Sequence, residues 1–369
     1  MISRWLWRAA WLLLPAAWAL HQLVHNDTLT FLAACLSLMP LAKTMGDATE
    51  ALAERMGPAT GSLLNATFGN AAELILGIAA LRHGHLSLVK GSLTGSILGN
   101  LLLVAGAAIV AGGVKYPRLR FNRLAATSSV ATLYLAVVAM VVPTLLATST
   151  PGFKPALLSQ EISGVLIVMY VLSLLFQLRT HASLMGSARE PLLATPAEAA
   201  AAAARKKQEA PEPEPQHQST AAALGKLFFA AACTAVASEL LVGALEGALV
   251  HLQLPETFVG VIIVAIVGNA AEHSTAILFA RRGDMDVALG IAWESSKQIA
   301  LFVAPVLVFA GMFLGAPMDL AFTKFEVIAL GMAVLALSLI ALDGETHWLE
   351  GAFLLAVYAV LGMGFYFVR

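Results

Sequence analysis

Long apolar segments alternate with short polar connections along most of the chain. A helix needs about 20 apolar residues to cross the hydrocarbon core of a bilayer. The segments that meet this requirement predict about 11 transmembrane helices, at 5–24, 28–53, 59–81, 86–111, 124–147, 161–179, 222–250, 256–280, 285–314, 324–342 and 347–368. The pattern therefore predicts an all-α polytopic membrane protein.

The composition agrees with this pattern. Hydrophobic residues make up 59% of the chain and charged residues 12%, against about a quarter charged in soluble domains. A soluble globular enzyme is excluded, and a net charge of −1 gives no indication of nucleic-acid binding. The only two cysteines, Cys35 and Cys233, lie in apolar segments and indicate neither a disulfide framework nor a zinc site. No cofactor is expected.

One five-residue motif occurs twice. Residues 69–73 read Gly-Asn-Ala-Ala-Glu, and the same letters return 199 residues later at 268–272. The following segments also correspond, with Ser96 and Ser295 at matching places. Close helix packing alone would explain the repeated Gly and Ala. It would not explain a Glu at the same position in both apolar halves, where an ionisable side chain usually marks a functional site.

The duplication predicts how the chain is organised. Setting the first span aside leaves ten helices, five in each half, and an odd number inverts the second half relative to the first, as in many secondary transporters. The alternative is that the first span is a cleaved signal peptide. The apolar part of this span is long, which favours a retained helix. The predicted units are an N-terminal transmembrane helix (1–27), a first repeat (28–181), a cytoplasmic linker (182–221) and a second repeat (222–369).

The acidic residues of the two motifs are the first candidates for chemistry. Asn70 and Glu73, like Asn269 and Glu272, are three residues apart and share one face of a helix. Two carboxylates and two amide oxygens suit a hard cation such as Ca²⁺, and the two negative charges cancel its charge. The sequence predicts that all four residues bind the cation, with Glu73 and Glu272 as its carboxylate ligands.

Further oxygen ligands are available near each motif. Gly69 and Gly268 allow the backbone to bend, which frees carbonyl groups. Ser96 and Ser295 lie on the next helix of each half and could complete the shell, although a bond to the serine's own helix explains either hydroxyl equally well.

The same carboxylates offer a route to proton coupling. When the cation leaves, two negative charges remain close together in an apolar interior, and this arrangement favours proton uptake. A site that holds either one divalent cation or protons exchanges one for the other.

Several segments of this sequence resemble the cation/proton exchanger (CAX) family, the calcium/proton antiporters of the cation/calcium exchanger superfamily. The matching segments are 47–50, 64–75, 95–100, 267–273, 286–290 and 298–303. The resemblance implies exchange of Ca²⁺ for H⁺ by alternating access, with Ca²⁺ and protons as transported partners. A Na⁺/H⁺ or K⁺/H⁺ antiporter with the same fold is the alternative, followed by a cation channel. An enzyme is not expected, because the sequence shows no nucleophile–base pair.

A second acidic set is a candidate access path. The family motif places Glu50 near the pore, and Asp47 shares its helix face. Glu239 and Glu246 are seven residues apart in the matching helix of the second half and lie on one stripe. Solvation of helix ends is the other interpretation. Gln298 could contact the ion or bond across helices.

His273 directly follows Glu272 and could relay protons, because imidazole titrates near neutral pH. A structural histidine is the competing interpretation. The resemblance to the antiporter family makes the proton role as strong an interpretation as the structural one.

One pair departs from the family pattern. Related exchangers usually have Gly before Ser295 and an uncharged residue at position 297, whereas this chain has Glu294 and Lys297. The two are three residues apart, so they can pair on one helix face. Either Lys297 neutralises Glu294, or Lys297 enters the site as a built-in cation and changes ion selectivity.

Charges between the spans predict the orientation. Most Lys and Arg residues fall on the side of the N-terminus and the linker, which places both in the cytoplasm. The linker combines an alanine run with a Pro-Glu segment and is predicted to be a tether; a regulatory role remains open. A prokaryotic inner membrane is expected, the lipid bilayer is a partner, and a homo-oligomer is left open.

Overall fold

Helices account for nearly all of the described chain. The computed structural model describes residues 10–56, 64, 67–182 and 219–368; most of the predicted linker lies outside these ranges. The helices of the first half are α1 (Leu13–Ala19), α2 (Asp27–Met56), α3 (Ala71–Arg82), α4 (Leu86–Leu98), α5 (Ala105–Gly113), α6 (Arg123–Ser149) and α7 (Pro155–Leu175). Those of the second half are α8 (Thr220–Gly243), α9 (Leu245–Leu252), α10 (Glu256–Phe258), α11 (Ala265–Gly268), α12 (Ala270–Arg281), α13 (Met285–Gln298), α14 (Ala304–Phe313), α15 (Lys324–Ile340) and α16 (Trp348–Phe367).

Short π-helical segments extend or join several of these helices. They are Leu20–Val24 after α1, Gly99–Val104 between α4 and α5, Phe176–Thr180 after α7, Val259–Val264 between α10 and α11, and Ile299–Val303 between α13 and α14. The second and the last occupy corresponding places in the two halves. Such segments are frequent at functional sites, because they interrupt the regular hydrogen-bond ladder.

Seven helical stretches in the described chain are long and apolar enough to cross a membrane, or eight if one bent pair is a single span. That pair joins α9 to the segment Glu256–Gly268 at an angle of 105°. This confirms a polytopic all-α fold, but the count of eleven is not confirmed. The difference comes from short or broken elements: α3 has 12 residues, α15 has 17, and α12 is separated from α11 by a turn.

The helices differ in how deeply they are buried. The stretch Leu86–Gly113, formed by α4 and α5, is the most buried of the seven, whereas α7 and α16 expose most of their apolar surface. Large exposed side chains on these outer helices include Val165 and Phe353. An apolar outer surface of this kind suits contact with lipid, so α4 and α5 form part of the centre of the bundle.

Small residues allow the two halves to approach closely. A Cβ atom added to Gly95 on α4 would lie 2.1 Å from the carbonyl oxygen of Val261 in the second half. A Cβ atom added to Gly106 on α5 would lie 2.8 Å from the carbonyl oxygen of Gly351 on α16. Both contacts require glycine, and they fix the centre of the first half against helices of the second.

Polar contacts also join the halves. A two-stranded antiparallel sheet, β1 (Leu119–Arg120) and β2 (Glu345–Thr346), carries an ion pair between Arg120 and Glu345 at 3.0 Å. Lys90 of α4 forms a second ion pair with Asp319, just before α15, at 2.6 Å. These contacts add to the glycine packing in holding both halves around α4 and α5.

Candidate cation site

The two copies of the repeated motif form the same local structure. In each, a new helix begins at the motif asparagine: α3 starts after Asn70 and α12 starts after Asn269. The backbone angles are similar, with φ −106° and ψ 25° at Asn70 and φ −95° and ψ 10° at Asn269. Glu73 and Glu272 therefore lie in the first turn of a helix, where the exposed N–H groups and the helix dipole favour negative charge.

The structure brings the two motifs together. A Cβ atom added to Gly268 would lie 3.8 Å from Glu73 Oε1, so the first glutamate reaches the backbone of the second motif. The charges of Glu73 and Glu272 are close enough to repel each other. Both glutamates are partly exposed, yet Oε2 of each is fully buried and has no hydrogen-bond partner among the described residues.

Hydrogen bonds fix the amide groups of the motifs across the two halves. Asn70 Nδ2 donates to Gln298 Oε1 on α13 at 2.5 Å. Asn269 Nδ2 donates to Ser96 Oγ on α4 at 2.9 Å and to the carbonyl oxygen of Ala265 at 2.9 Å. Each motif asparagine is thus anchored through its nitrogen to the crossing helix of the opposite half.

A third amide, at Asn100, belongs to the same network. Asn100 Nδ2 donates to Ser295 Oγ at 2.9 Å, and the Ser295 hydroxyl is close enough to the Glu272 carboxylate to interact with it. Asn100 is fully buried. The sequence prediction did not include it, although an amide four residues after Ser96 in an apolar run was a usable signal.

At this site, five buried oxygen atoms have no hydrogen-bond partner among the described residues. They are Oδ1 of Asn70, Asn100 and Asn269, and Oε2 of Glu73 and Glu272. In all three amides the nitrogen is used for a protein hydrogen bond and the oxygen is left over. Buried oxygens without donors are costly. A hard cation with oxygen ligands, or protons, would satisfy them.

The donor set of the site differs from that of a typical transition-metal centre. Across residues 10–56, 64, 67–182 and 219–368 there is no group of three or more His, Cys, Asp or Glu side chains arranged to hold a metal ion. The candidate site consists instead of two carboxylates with amide and hydroxyl groups. These oxygens fit Ca²⁺ better than zinc, which prefers nitrogen and sulfur.

His273 lies beside the site. Its side chain is partly exposed, while its Nε2 is buried and has no hydrogen-bond partner within the described ranges. Its backbone N–H donates to the carbonyl oxygen of Asn269. His273 is adjacent to Glu272, and its role in proton transfer stays a prediction.

The predicted access-path residues lie apart from this network. Asp47 is exposed and pairs with Lys43 at 3.0 Å, and Glu50 is exposed near the end of α2. Glu246 is exposed on α9. Asp47 also lines a cavity of about 480 Å³ between α2 and α8, together with Trp11, Thr44, Ala48, Lys226 and Phe229. Whether cations pass these residues stays a prediction.

Glu239 is engaged in ion pairs at the end of α8. Its Oε1 accepts from Arg82 at 3.2 Å, and its Oε2 lies 2.8 Å from His83 Nε2. Both partners lie at the end of α3, the helix that carries Glu73. Glu239 therefore connects α8 to the end of α3.

The unusual charged pair lies on α13. Lys297 is buried, and its ammonium forms an ion pair with Glu294, whose side chain is 41% exposed. Gln177 Nε2 donates to the same Glu294 oxygen at 3.4 Å. Lys297 is adjacent in sequence to Gln298, which bonds Asn70.

Comparison with known proteins identifies the family. The sodium/calcium exchanger protein family matches residues 27–179 and 222–367. This protein belongs to that family. As a member, it is 44% identical over 356 residues to the Ca²⁺/H⁺ antiporter of Synechocystis sp., in an alignment that covers 96% of this chain and 95% of that protein. It is 42% identical over 347 residues to the Ca²⁺/H⁺ antiporter ChaA of Bacillus subtilis, with 94% of each covered.

Solved structures of related exchangers have the same fold. Native YfkE is 37% identical and superposes with a TM-score of 0.78, covering 96% of this chain and 97% of that one. The H⁺/Ca²⁺ exchanger CAX superposes with a TM-score of 0.68 over 99% of this chain and 92% of that one; at 16% identity it supports the exchanger fold alone. The family resemblance and the fold class predicted from the sequence are both confirmed.

Proposed function

We propose that this protein is a secondary active transporter that exchanges Ca²⁺ for H⁺ by alternating access. The observation that carries the proposal is the set of five buried oxygens at this site that have no partner among the described residues, two of them from the carboxylates of Glu73 and Glu272. One carboxylate comes from each half. Relatives at 42% and 44% identity bear the name Ca²⁺/H⁺ antiporter, which supports Ca²⁺ and H⁺ as the two transported ions.

The charges of the site account for the exchange. Two carboxylates neutralise one Ca²⁺ ion, and the amide and hydroxyl oxygens complete its shell. Without the ion, two like charges would remain near each other in a mostly apolar interior, which is unfavourable. Proton uptake by Glu73 and Glu272 removes this repulsion, so the site alternates between a calcium form and a protonated form. No cofactor is needed, and both ions are substrates.

The two related halves supply the conformational change. A site at the junction of inverted repeats can be exposed to either side when one bundle moves against the other. The broken helices at Asn70 and Asn269 provide the backbone discontinuities on which such a site depends. We place the N-terminus and the linker in the cytoplasm, because most Lys and Arg residues between the spans lie on that side. The bacterial relatives support a prokaryotic inner membrane.

Transport by the purified protein in liposomes tests this function. With an acidic interior and calcium outside, we expect calcium to accumulate above its external concentration, and a protonophore to abolish the accumulation. Parallel assays with Na⁺, K⁺ and Mn²⁺ define the selectivity. Downhill calcium flux that does not depend on the pH gradient would indicate a channel. Proton-driven uptake of Na⁺ or K⁺, with no uptake of calcium, would indicate a monovalent antiporter.

A further inference from the structure

One charged pair near the cation site has no part in the exchange described so far. The ammonium of Lys297 is buried, with the residue only 2% exposed, and it bonds the carboxylate of Glu294. A buried ammonium is stable only when it is paired. Glu294 therefore explains how Lys297 can be accommodated, but not why the chain places a positive charge here.

The pair lies close to the cation site along α13. Ser295 on this helix accepts a hydrogen bond from Asn100 and lies close to Glu272, and Gln298 accepts one from Asn70. Glu294 and Gln298 are four residues apart, so their Cβ atoms are separated by about 6 Å. Screening is weak inside a protein, so a charge on Lys297 acts on a cation held by the motif glutamates.

Only the second half of the protein carries such a pair. The residues 199 positions earlier are Gly95 and Leu98 on α4. Gly95 packs directly against the backbone at Val261, which leaves no room for a side chain. On α13, by contrast, no described atom lies within 4 Å of a Cβ added to Gly290, and Glu294 is partly exposed. The second half thus has space for a charged pair that the first half lacks.

A second helix holds the carboxylate in place. Gln177, in the π-helical segment after α7, donates to the same oxygen of Glu294 that binds the ammonium. Tyr170 of α7 is also close enough for the Glu294 charge to act on its hydroxyl group. These contacts fix Glu294 on the side of α13 that faces α7. The ion pair with Glu294 then holds the ammonium of Lys297 in the same place.

We propose that Glu294 holds the Lys297 ammonium away from Glu73 and Glu272, and that this pair thereby sets the affinity of the site for a divalent cation. When Glu294 is replaced by a neutral residue, the ammonium of Lys297 is left uncompensated. It then repels the incoming dication and competes with it for the motif carboxylates. This inference rests on the proposed calcium/proton exchange and identifies Glu294 and Lys297 as specificity-determining residues for it.

A double-mutant cycle tests the pair. Wild type, Glu294→Gln, Lys297→Met and the double variant are compared by calorimetric calcium binding and by proton-driven calcium uptake in liposomes. We expect Glu294→Gln to raise the half-saturating calcium concentration about tenfold or more, and the double variant to return to within about threefold of wild type. Glu161→Gln and Lys324→Met, both at exposed positions, are matched controls for the charge changes.

Rescue separates an electrostatic role from packing. If the double variant binds calcium as weakly as Glu294→Gln, or if Glu294→Gln binds as wild type does, the inference is overturned. If Glu294→Gln cannot be isolated, Gln177→Leu removes the hydrogen bond to Glu294, together with one to Ser173 on the preceding turn, and leaves both charges in place. We expect a smaller increase of about threefold. An unchanged half-saturating calcium concentration in Gln177→Leu would also overturn the inference.

The two proposals fail in different ways. A wild-type protein that neither binds nor transports calcium would refute the exchange function, and the inference with it. A wild type that exchanges calcium for protons normally, with all four proteins of the cycle alike, would refute only the role of the charged pair.

Discussion

The side-chain amide of Asn269 donates to the hydroxyl oxygen of Ser96 across the junction of the two halves, at 2.9 Å. Asn269 is the residue at which α11 ends and α12 begins, and Ser96 lies near the end of α4. The bond fixes the nitrogen of the amide and leaves Oδ1 free of partners in the described chain. An intact helix of one half thus orients the broken helix of the other.

Replacing the hydroxyl of this contact should weaken cation binding without unfolding the protein. In Ser96→Ala, Asn269 retains its bond to the carbonyl oxygen of Ala265, but its orientation toward the site is less restricted. One hydrogen bond contributes about 1 kcal/mol, so we expect the half-saturating calcium concentration to rise about fivefold. Calcium titration of uptake in liposomes measures it. Ser92→Ala is the control, because the Ser92 hydroxyl bonds its own helix at Val89. An unchanged titration curve would contradict a role for this contact.

Neutralising either motif glutamate should abolish exchange. In the proposed mechanism, Glu73→Gln and Glu272→Gln each remove one of the two charges that balance the cation, together with one proton-binding group. We expect calcium uptake to fall about 100-fold or more. The exposed Glu161→Gln is the control for loss of one negative charge. Proton-driven uptake that persists in both amide variants, in protein that elutes as a single folded species, would refute the proposed site.

Much of this site follows from the repeated motif. Two Glu residues in matching apolar contexts predicted a shared site, because a buried carboxylate is too costly to be kept in both halves without a function. The position of the helix break was less predictable. The sequence indicated Gly69 and Gly268 as the flexible points, whereas the new helices begin directly after Asn70 and Asn269. The asparagine side chains bond across helices, and such tertiary contacts cannot be read from local propensity.

Asn100 shows where reasoning from the repeat reaches its limit. Its counterpart 199 residues later is Ile299, so the comparison of halves gave no signal for it.

The number of spans was uncertain for a related reason. Apolar length does not distinguish one long helix from two short ones separated by a turn, as at Asn269. The side-chain hydrogen bond that holds this break in place comes from the opposite half.

The buried amide of Asn100 should contribute to cation affinity. Asn100→Ala removes one of the five oxygens of the site that have no partner among the described residues, and it leaves the Ser295 hydroxyl without its donor. We expect weaker calcium binding, by about fivefold to tenfold, with little change in the amount of folded protein. Calorimetric titration of the purified protein measures the affinity. Binding equal to that of wild type would show that the Asn100 oxygen does not contact the ion.

Glu239 offers a test between an access path and an ion pair. Because it pairs with Arg82 and His83 at partly exposed positions, we expect Glu239→Gln to cost about 1 kcal/mol of stability or less. The half-saturating calcium concentration should stay unchanged. Thermal unfolding in detergent and calcium titration of uptake measure these two quantities separately. A clear rise in half-saturating calcium, with unchanged thermal stability, would instead support passage of the cation along Glu239.

Two glycines on corresponding helices of the two halves should respond differently to a methyl group. In Gly95→Ala the new carbon would lie 2.1 Å from the carbonyl oxygen of Val261, so the backbones of the two halves must separate. We expect destabilisation of about 1–3 kcal/mol, visible as a lower Tm in detergent. Gly290→Ala on α13 is the matched control, since a Cβ there meets no described atom within 4 Å and alanine favours the helix. If both variants unfold at the wild-type temperature, the close contact between α4 and Val261 does not support the fold.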